Sequence, residues 1–241
     1  MRYIKTYILL ALLAIFSSCE MIENPDDFKA KQINLFARMG VHLSVEQMTK
    51  DGDTDGLQIG MIRKDENVND NTFLTAYLRN PDPENGGLRM ISGFATSSGA
   101  SMPQFFKNST DKVTYTAWYP KTENITSANG DHQVTFSIPN TGDKDIMYSK
   151  PVSGTMSSGF DVMQFNHALS LFRIYVYKST NREWESINNL SINKLPDICT
   201  VSLPSEENES EEITYSYSNS SGIDLVQEYN DAIEIPEGFK N

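Results

Sequence analysis

Short alternations of apolar and polar residues run through most of the chain. INLFA places Ile33, Leu35 and Ala37 on one face, and VHLSVEQ does the same with Val41, Leu43 and Val45. LQIGMI aligns Leu57, Ile59 and Met61, FLTAYLR aligns Phe73, Thr75 and Tyr77, and LRMISGF carries Leu88, Met90 and Phe94. Val113, Tyr115, Ala117 and Tyr119 share a face of VTYTAWYP, as do Val134, Phe136 and Ile138 of QVTFSIP. A period of two marks a strand with one buried face. DGDTDG, NPDPENGG and SSGASMP separate these segments, and Gly, Pro, Asn and Asp are the residues that turns favour. INNLSI, ICTVSL, ITYSY and DAIEIP read as further strands. Short strands at this density, with almost no capped helical pattern, predict an all-β sandwich architecture.

The longest apolar run after the N-terminal segment is Phe165–Lys178, FNHALSLFRIYVYK. One alternating set holds Phe165, His167, Leu169, Leu171, Arg173, Tyr175 and Tyr177; the other holds Asn166, Ala168, Ser170, Phe172, Ile174 and Val176. Apolar residues in both sets suit a strand buried on both faces between two layers. Phe165, Leu169, Phe172 and Val176 also fall at helical spacing, but the aromatic and β-branched half RIYVY favours the strand. Residues 165–178 are therefore expected to form the strand around which the chain is organised.

The first 18 residues follow a different pattern. Arg2 and Lys5 precede an apolar core, Tyr7–Phe16, of ten residues, which is too short to span a bilayer. Ser17 and Ser18 then precede Cys19. A thiol in that place can take up diacylglycerol when the signal is cleaved before it. Residues 1–18 therefore read as a lipoprotein signal peptide, and Cys19 as the lipidated, palmitate-bearing N-terminus. Phe16 departs from the leucine usual in such boxes, and an ordinary secretory signal that contains a cysteine is the alternative. Residues 19–31 read as an acidic tether with Glu20, Glu23, Asp26 and Asp27. Losing Arg2 and Lys5 takes the formal net charge from −12 to about −14, which argues against nucleic acid as a partner. Only Cys199 then remains as a free thiol, so no internal disulfide is expected; within ICTVSL it reads as a small buried hydrophobe.

Three pieces in order carry a resemblance: VTYTAWYP at 113–120, DIMYSKPVSG at 145–154, and DVMQ followed by FNHALSLFRIYVYK. Over roughly residues 30–205 the chain resembles the Bacteroidetes fimbrillin-like proteins. The resemblance implies two β-sandwich domains, a transthyretin-like one over 32–150 and a second over 151–241, with SKPVSGTMSSG at 149–159 as the boundary. The chain stops at Asn241, short of the usual family length, so the second sandwich is expected to be incomplete and an accessory or anchor role favoured over a shaft role. The acidic residues after Cys19 resemble a surface-export signal, which implies lipid anchoring at the cell outer membrane and display in a fimbrium. The family's assembly mechanism is strand addition. A sandwich lacking one strand exposes a groove that an extended strand of another fimbrial subunit fills. The groove opens when a protease, often Arg-specific, removes the lipidated first strand. Here KQINLFAR at 31–38 ends in Arg38, so cleavage after Arg38 is expected to release Ile33–Ala37.

No catalytic residue and no cofactor come with the resemblance, and the residues suggest none. Asp51, Asp53 and Asp55 take positions 1, 3 and 5 of a calcium-loop pattern, with Gly56 at 6. Ile62 stands where the twelfth position needs a bidentate carboxylate, so an acidic turn is the favoured reading over a weak metal site. His42, His132 and His167 have no ligand-spaced companions, and no G-x-S-x-G elbow, P-loop or dinucleotide fingerprint is present. The alternative function is a surface lipoprotein that binds glycans for nutrient uptake or contacts a host surface. Trp184, flanked by Arg182, Glu183 and Glu185, is its candidate contact, whereas Trp118 reads as core.

Overall fold

The computed structural model describes residues 30–39, 56–128, 131–140, 145–170, 174, 186–204, 213–219 and 222–234. These form fifteen strands and one 3-10 turn, Pro83–Asn85, with no α-helix among the described residues. The strands are β1 (Leu35–Met39), β2 (Leu57–Asp65), β3 (Thr72–Leu78), β4 (Arg89–Thr96), β5 (Val113–Tyr119), β6 (Ile125–Ala128), β7 (Asp131–Ser137) and β8 (Met147–Ser149). They continue as β9 (Val152–Thr155), β10 (Gly159–Phe160), β11 (Met163–His167), β12 (Ser186–Leu195), β13 (Ile198–Leu203), β14 (Thr214–Ser218) and β15 (Ile223–Glu234).

Seven strands close on themselves in the order β5-β2-β3-β4-β1-β11-β8, with β8 returning to β5 through Trp118 opposite Tyr148 and Tyr119 opposite Met147. The other end of β5 pairs with β9 instead, Val113 opposite Gly154. Pro151 lies between β8 and β9; it has no N–H to give a ladder, and the edge of β5 passes from one strand to the next there. Leu35, Ala37, Ile59, Met61, Leu74, Ala76, Leu78, Ile91, Val113, Tyr115, Ala117, Met147, Met163 and Phe165 fill the interior. This closed barrel replaces the expected transthyretin-like sandwich. A period of two reports which side chains share a face, and it reads the same whether two sheets stack or one sheet curls shut.

A second sheet, β14-β13-β7-β6, lies on the barrel's outer wall. Val134, Phe136, Cys199, Val201 and Leu203 from this sheet meet Ile62 and Trp118 from the barrel. β5 is buried on both faces: Val113, Tyr115 and Ala117 point in, and Thr114, Thr116 and Trp118 point out, with Trp118 under the second sheet. Burying each large apolar side chain contributes about 1.5–3 kcal/mol. The Trp118 ring lies over Gly60, its partner on β2. Its indole N–H is buried without a hydrogen-bond partner among the described residues, a cost of about 1–3 kcal/mol that the burial of the ring offsets. β12 and β15 form a separate two-stranded ribbon that continues from β13 and β14.

Of the element expected to organise the chain, Phe165–Lys178, residues 165–170 and 174 are described. β11 ends at His167, and Gln164 and Asn166 are exposed, so the strand is buried on one face only; residues 171–173 and 175–185 lie outside the described residues. VTYTAWY is buried on both faces. Two segments also turn over relative to expectation. Leu74, Ala76 and Leu78 of β3 face the interior while Phe73 is 37% exposed, and Ile91 of β4 is buried while Met90 is 45% exposed. Both alternating sets of these strands carry apolar side chains, so their pattern leaves the phase open. The barrel takes strands from both sides of the expected 150/151 boundary, as does the wall packed on it: β11 joins β1–β5 and β8, and β13 and β14 join β6 and β7.

The contact between Gly60 and Trp118 gives a stability test. A Cβ at Gly60 would stand 2.3–2.5 Å from three Trp118 ring atoms, and the second sheet confines the ring. Gly60→Ala is expected to lower stability by about 2–3 kcal/mol, seen as a lower urea midpoint. An unchanged midpoint contradicts this packing.

Candidate functional site

Residues 30–39 enter the barrel as an extended segment. Ile33, Leu35 and Ala37 point inward and are 2%, 0% and 0% exposed, as the INLFA alternation predicts. β1 runs antiparallel to β4, with Leu35 opposite Ile91 and Ala37 opposite Arg89. On its other side it runs parallel to β11, with Ala37 opposite Met163 and Met39 opposite Phe165. Upstream, Gln32 bridges Phe105. There the Ile33 N–H donates to the Gln104 carbonyl at 2.9 Å, and the Phe106 N–H donates to the Lys31 carbonyl at 3.2 Å. Arg38 stands exposed on the outer face, opposite Gln164. Its side chain is open to a protease, but the bond after it lies inside a paired strand and is reached by local opening.

A buried polar cluster sits inside the barrel at the Arg63 end of β2. Arg63 and Asp65 continue the inward-facing series of Leu57, Ile59 and Met61. Asp65 Oδ1 accepts from Arg63 Nε at 3.0 Å and Nη2 at 2.7 Å, and Lys107 Nζ lies 2.7 Å from Oδ2. Arg63 Nη1 donates to Gln104 Oε1 at 2.9 Å, and Nη2 donates to the Phe105 carbonyl at 2.9 Å. The Tyr115 hydroxyl donates to the same Gln104 oxygen at 3.0 Å. Burial alone would push the Asp65 carboxyl up, but the hydrogen bonds and charges of Arg63 and Lys107 hold it below the ordinary range. Burial raises the Tyr115 hydroxyl. Sequence reasoning did not select these residues. The available signal was an Arg-x-Asp pair on the apolar phase of LQIGMIRKD.

The remaining candidates are scattered. Cys19, His42, Asp51, Asp53, Asp55 and Trp184 lie outside the described residues. His132 is buried with its Nδ1 3.1 Å from Ser127 Oγ, its Nε2 against Asn71 Nδ2, and its ring edge-on to Phe73. It ties β7 to the β3 wall. His167 pairs through Nδ1 with Asp145; burial raises the Asp145 carboxyl and His167 opposes that rise. No three His, Cys, Asp or Glu side chains converge among the described residues. Burial pushes the Cys199 thiol up to about 11, which leaves it unreactive. Trp118 is core, as expected. A shallow depression of about 320 Å³ on the outer wall, lined by Gln58, Thr75, Tyr77, Thr96 and Lys121 among others, holds no carboxylate, imidazole or thiol. What the described residues offer is an apolar slot between β4 and β11, filled by β1.

The profile of the Fimbrillin-like family matches residues 48–240. The chain belongs to the fimbrillin-like family. It is thus a fimbrial-type protein of the cell surface, in a structural and not a catalytic family. The match begins past β1, so this fimbrillin-like segment supplies every barrel strand except the first. No curated protein matches the chain. Among solved structures the chain is similar to a candidate cell adhesion protein from Bacteroides uniformis, at 15% identity and a TM-score of 0.42, over 81% of this chain and 72% of that one.

The ion pair beside the β1 entrance makes a pH-dependent prediction. Asp65→Asn leaves the Arg63 guanidinium buried without its carboxylate, at an expected cost of about 3–5 kcal/mol at neutral pH. The folded Asp65 titrates below its ordinary value of 3.8. Its contribution is therefore present above that value and lost as pH falls through the folded one. The gap in urea midpoint between wild type and variant is expected to narrow below about pH 4. An equal gap at pH 3 and pH 7 contradicts the assignment.

Proposed function

We propose that this protein is a fimbrial subunit, or an accessory or anchor protein of a fimbrium, that assembles by strand addition. It is held at the outer membrane through lipid on Cys19. Cleavage after Arg38 removes Ile33–Ala37 and opens a groove between β4 and β11. An extended strand of another subunit then fills that groove. The observation that carries this reading is the position of β1. It is the barrel strand outside the family-matched residues, and Ile33, Leu35 and Ala37 occupy a slot whose walls those matched residues build.

The energetics favour replacement over an empty slot. Burial of Ile33 and of Leu35 is worth about 1.5–3 kcal/mol each, and loss of β1 leaves ladder donors and acceptors on β4 and β11 unpaired. A foreign strand with the same alternation restores both terms. No catalysis and no cofactor enter this account. The step that distinguishes it from a stand-alone lipoprotein, including the glycan-binding alternative, is removal of the first strand. N-terminal sequencing of assembled surface material is expected to start at Met39. A start at Cys19 overturns the cleavage step.

A further inference from the structure

The contacts of the first strand do not end where its pairing with β4 and β11 ends. Five residues, 35–39, pair with those two strands. Two more backbone hydrogen bonds are made upstream, between Lys31–Ile33 and Gln104–Phe106. The segment that makes them is held in place by buried side chains of β2 and β5. The Arg63 guanidinium donates to the Gln104 side chain and to the Phe105 carbonyl, Asp65 fixes the guanidinium, and Tyr115 donates to Gln104. Gln104 is 1% exposed and Arg63 is 6% exposed. Every one of these groups belongs to β2, β5 or residues 104–105. None comes from β1.

We infer that the strand-acceptor groove extends beyond β4 and β11 into a preformed clamp, Gln104–Phe106, and that Arg63 is the residue that positions it. This rests on the strand-addition reading and adds to it a statement about the partner. The occupant is an extended segment of at least seven residues that matches Lys31–Ala37. It carries bulky aliphatic side chains at the positions of Ile33 and Leu35 and a small one at the position of Ala37, which is fully buried. At the position of Ile33 it needs a free backbone N–H, because the Gln104 carbonyl accepts there. Proline is excluded at that position. The clamp sets register as well as affinity. A slip by one residue would turn the apolar set outward and would also misplace the N–H that meets Gln104.

The test uses the full chain, cut after residue 38 by an Arg-specific protease that is then inhibited. Two labelled peptides copy residues 31–39 and differ only by a methyl group on the Ile33 nitrogen. The wild type is expected to hold the unmethylated peptide about tenfold more tightly, as loss of a buried hydrogen bond with its acceptor left unpaired implies. Arg63→Met is expected to shrink that difference to about twofold by weakening the unmethylated peptide alone. Tyr115→Phe, which keeps the ring and removes one hydroxyl, is expected to shift the ratio in the same direction by less, and it carries the test if Arg63→Met does not fold. Equal binding of the two peptides by wild type, or an equal loss for both in the variants, overturns the clamp while leaving strand acceptance in place. Uptake of neither peptide by wild type overturns the strand-addition reading and the clamp with it.

Discussion

A closed barrel has no free edge, and here closure depends on one short strand. β1 is hydrogen-bonded on both sides, antiparallel to β4 and parallel to β11. Take it away and two strands are left with unpaired backbone groups beside an apolar slot, the condition under which a sheet recruits another chain. The parallel pairing with β11 matters as well. Parallel neighbours cannot be joined by a tight turn, so β1 meets its partner as a separate piece of chain and can be exchanged without breaking a hairpin.

The rest of the structure keeps that slot in shape. β5 is buried on both faces, with Tyr115 inside the barrel and Trp118 wedged between Gly60 and the second sheet. The second sheet thereby braces β2 and β5, while β4, β1 and β11 lie on other stretches of the barrel's circumference. The Arg63–Asp65–Gln104 cluster performs a similar service inside the barrel, since it links β2 and β5 to the segment that receives the start of β1.

Much of this was legible in the residues. INLFA, VTYTAWY, QVTFS and ICTVSL alternate cleanly, and each buries the face its pattern names. FLTAYLR and LRMISGF misled because both of their phases carry apolar side chains, and only the neighbours decide which is covered. Of FNHALSLFRIYVYK, Phe165 is buried in the barrel and Ala168 against the second sheet, while Asn166 is exposed; most of its second half lies outside the described residues. Closure was invisible because pairing partners are not written in a single strand's period. The Arg63 cluster was missed because a charged pair at the end of a strand is ordinarily read as solvated, and its burial is decided by Gln104, about forty positions away. Arg38 points outward with an exposed side chain, as a charge near a strand end does, and its backbone is paired.

Locking the first strand in place tests the central claim most directly. Phe36 and Met90 stand directly opposite each other on β1 and β4, a separation that a disulfide can bridge. A chain carrying Phe36→Cys and Met90→Cys is predicted to fold when oxidised but to stay out of assembled fimbriae, and to enter them once reduced. Entry of the oxidised, cross-linked chain into the polymer would show that assembly does not use this slot.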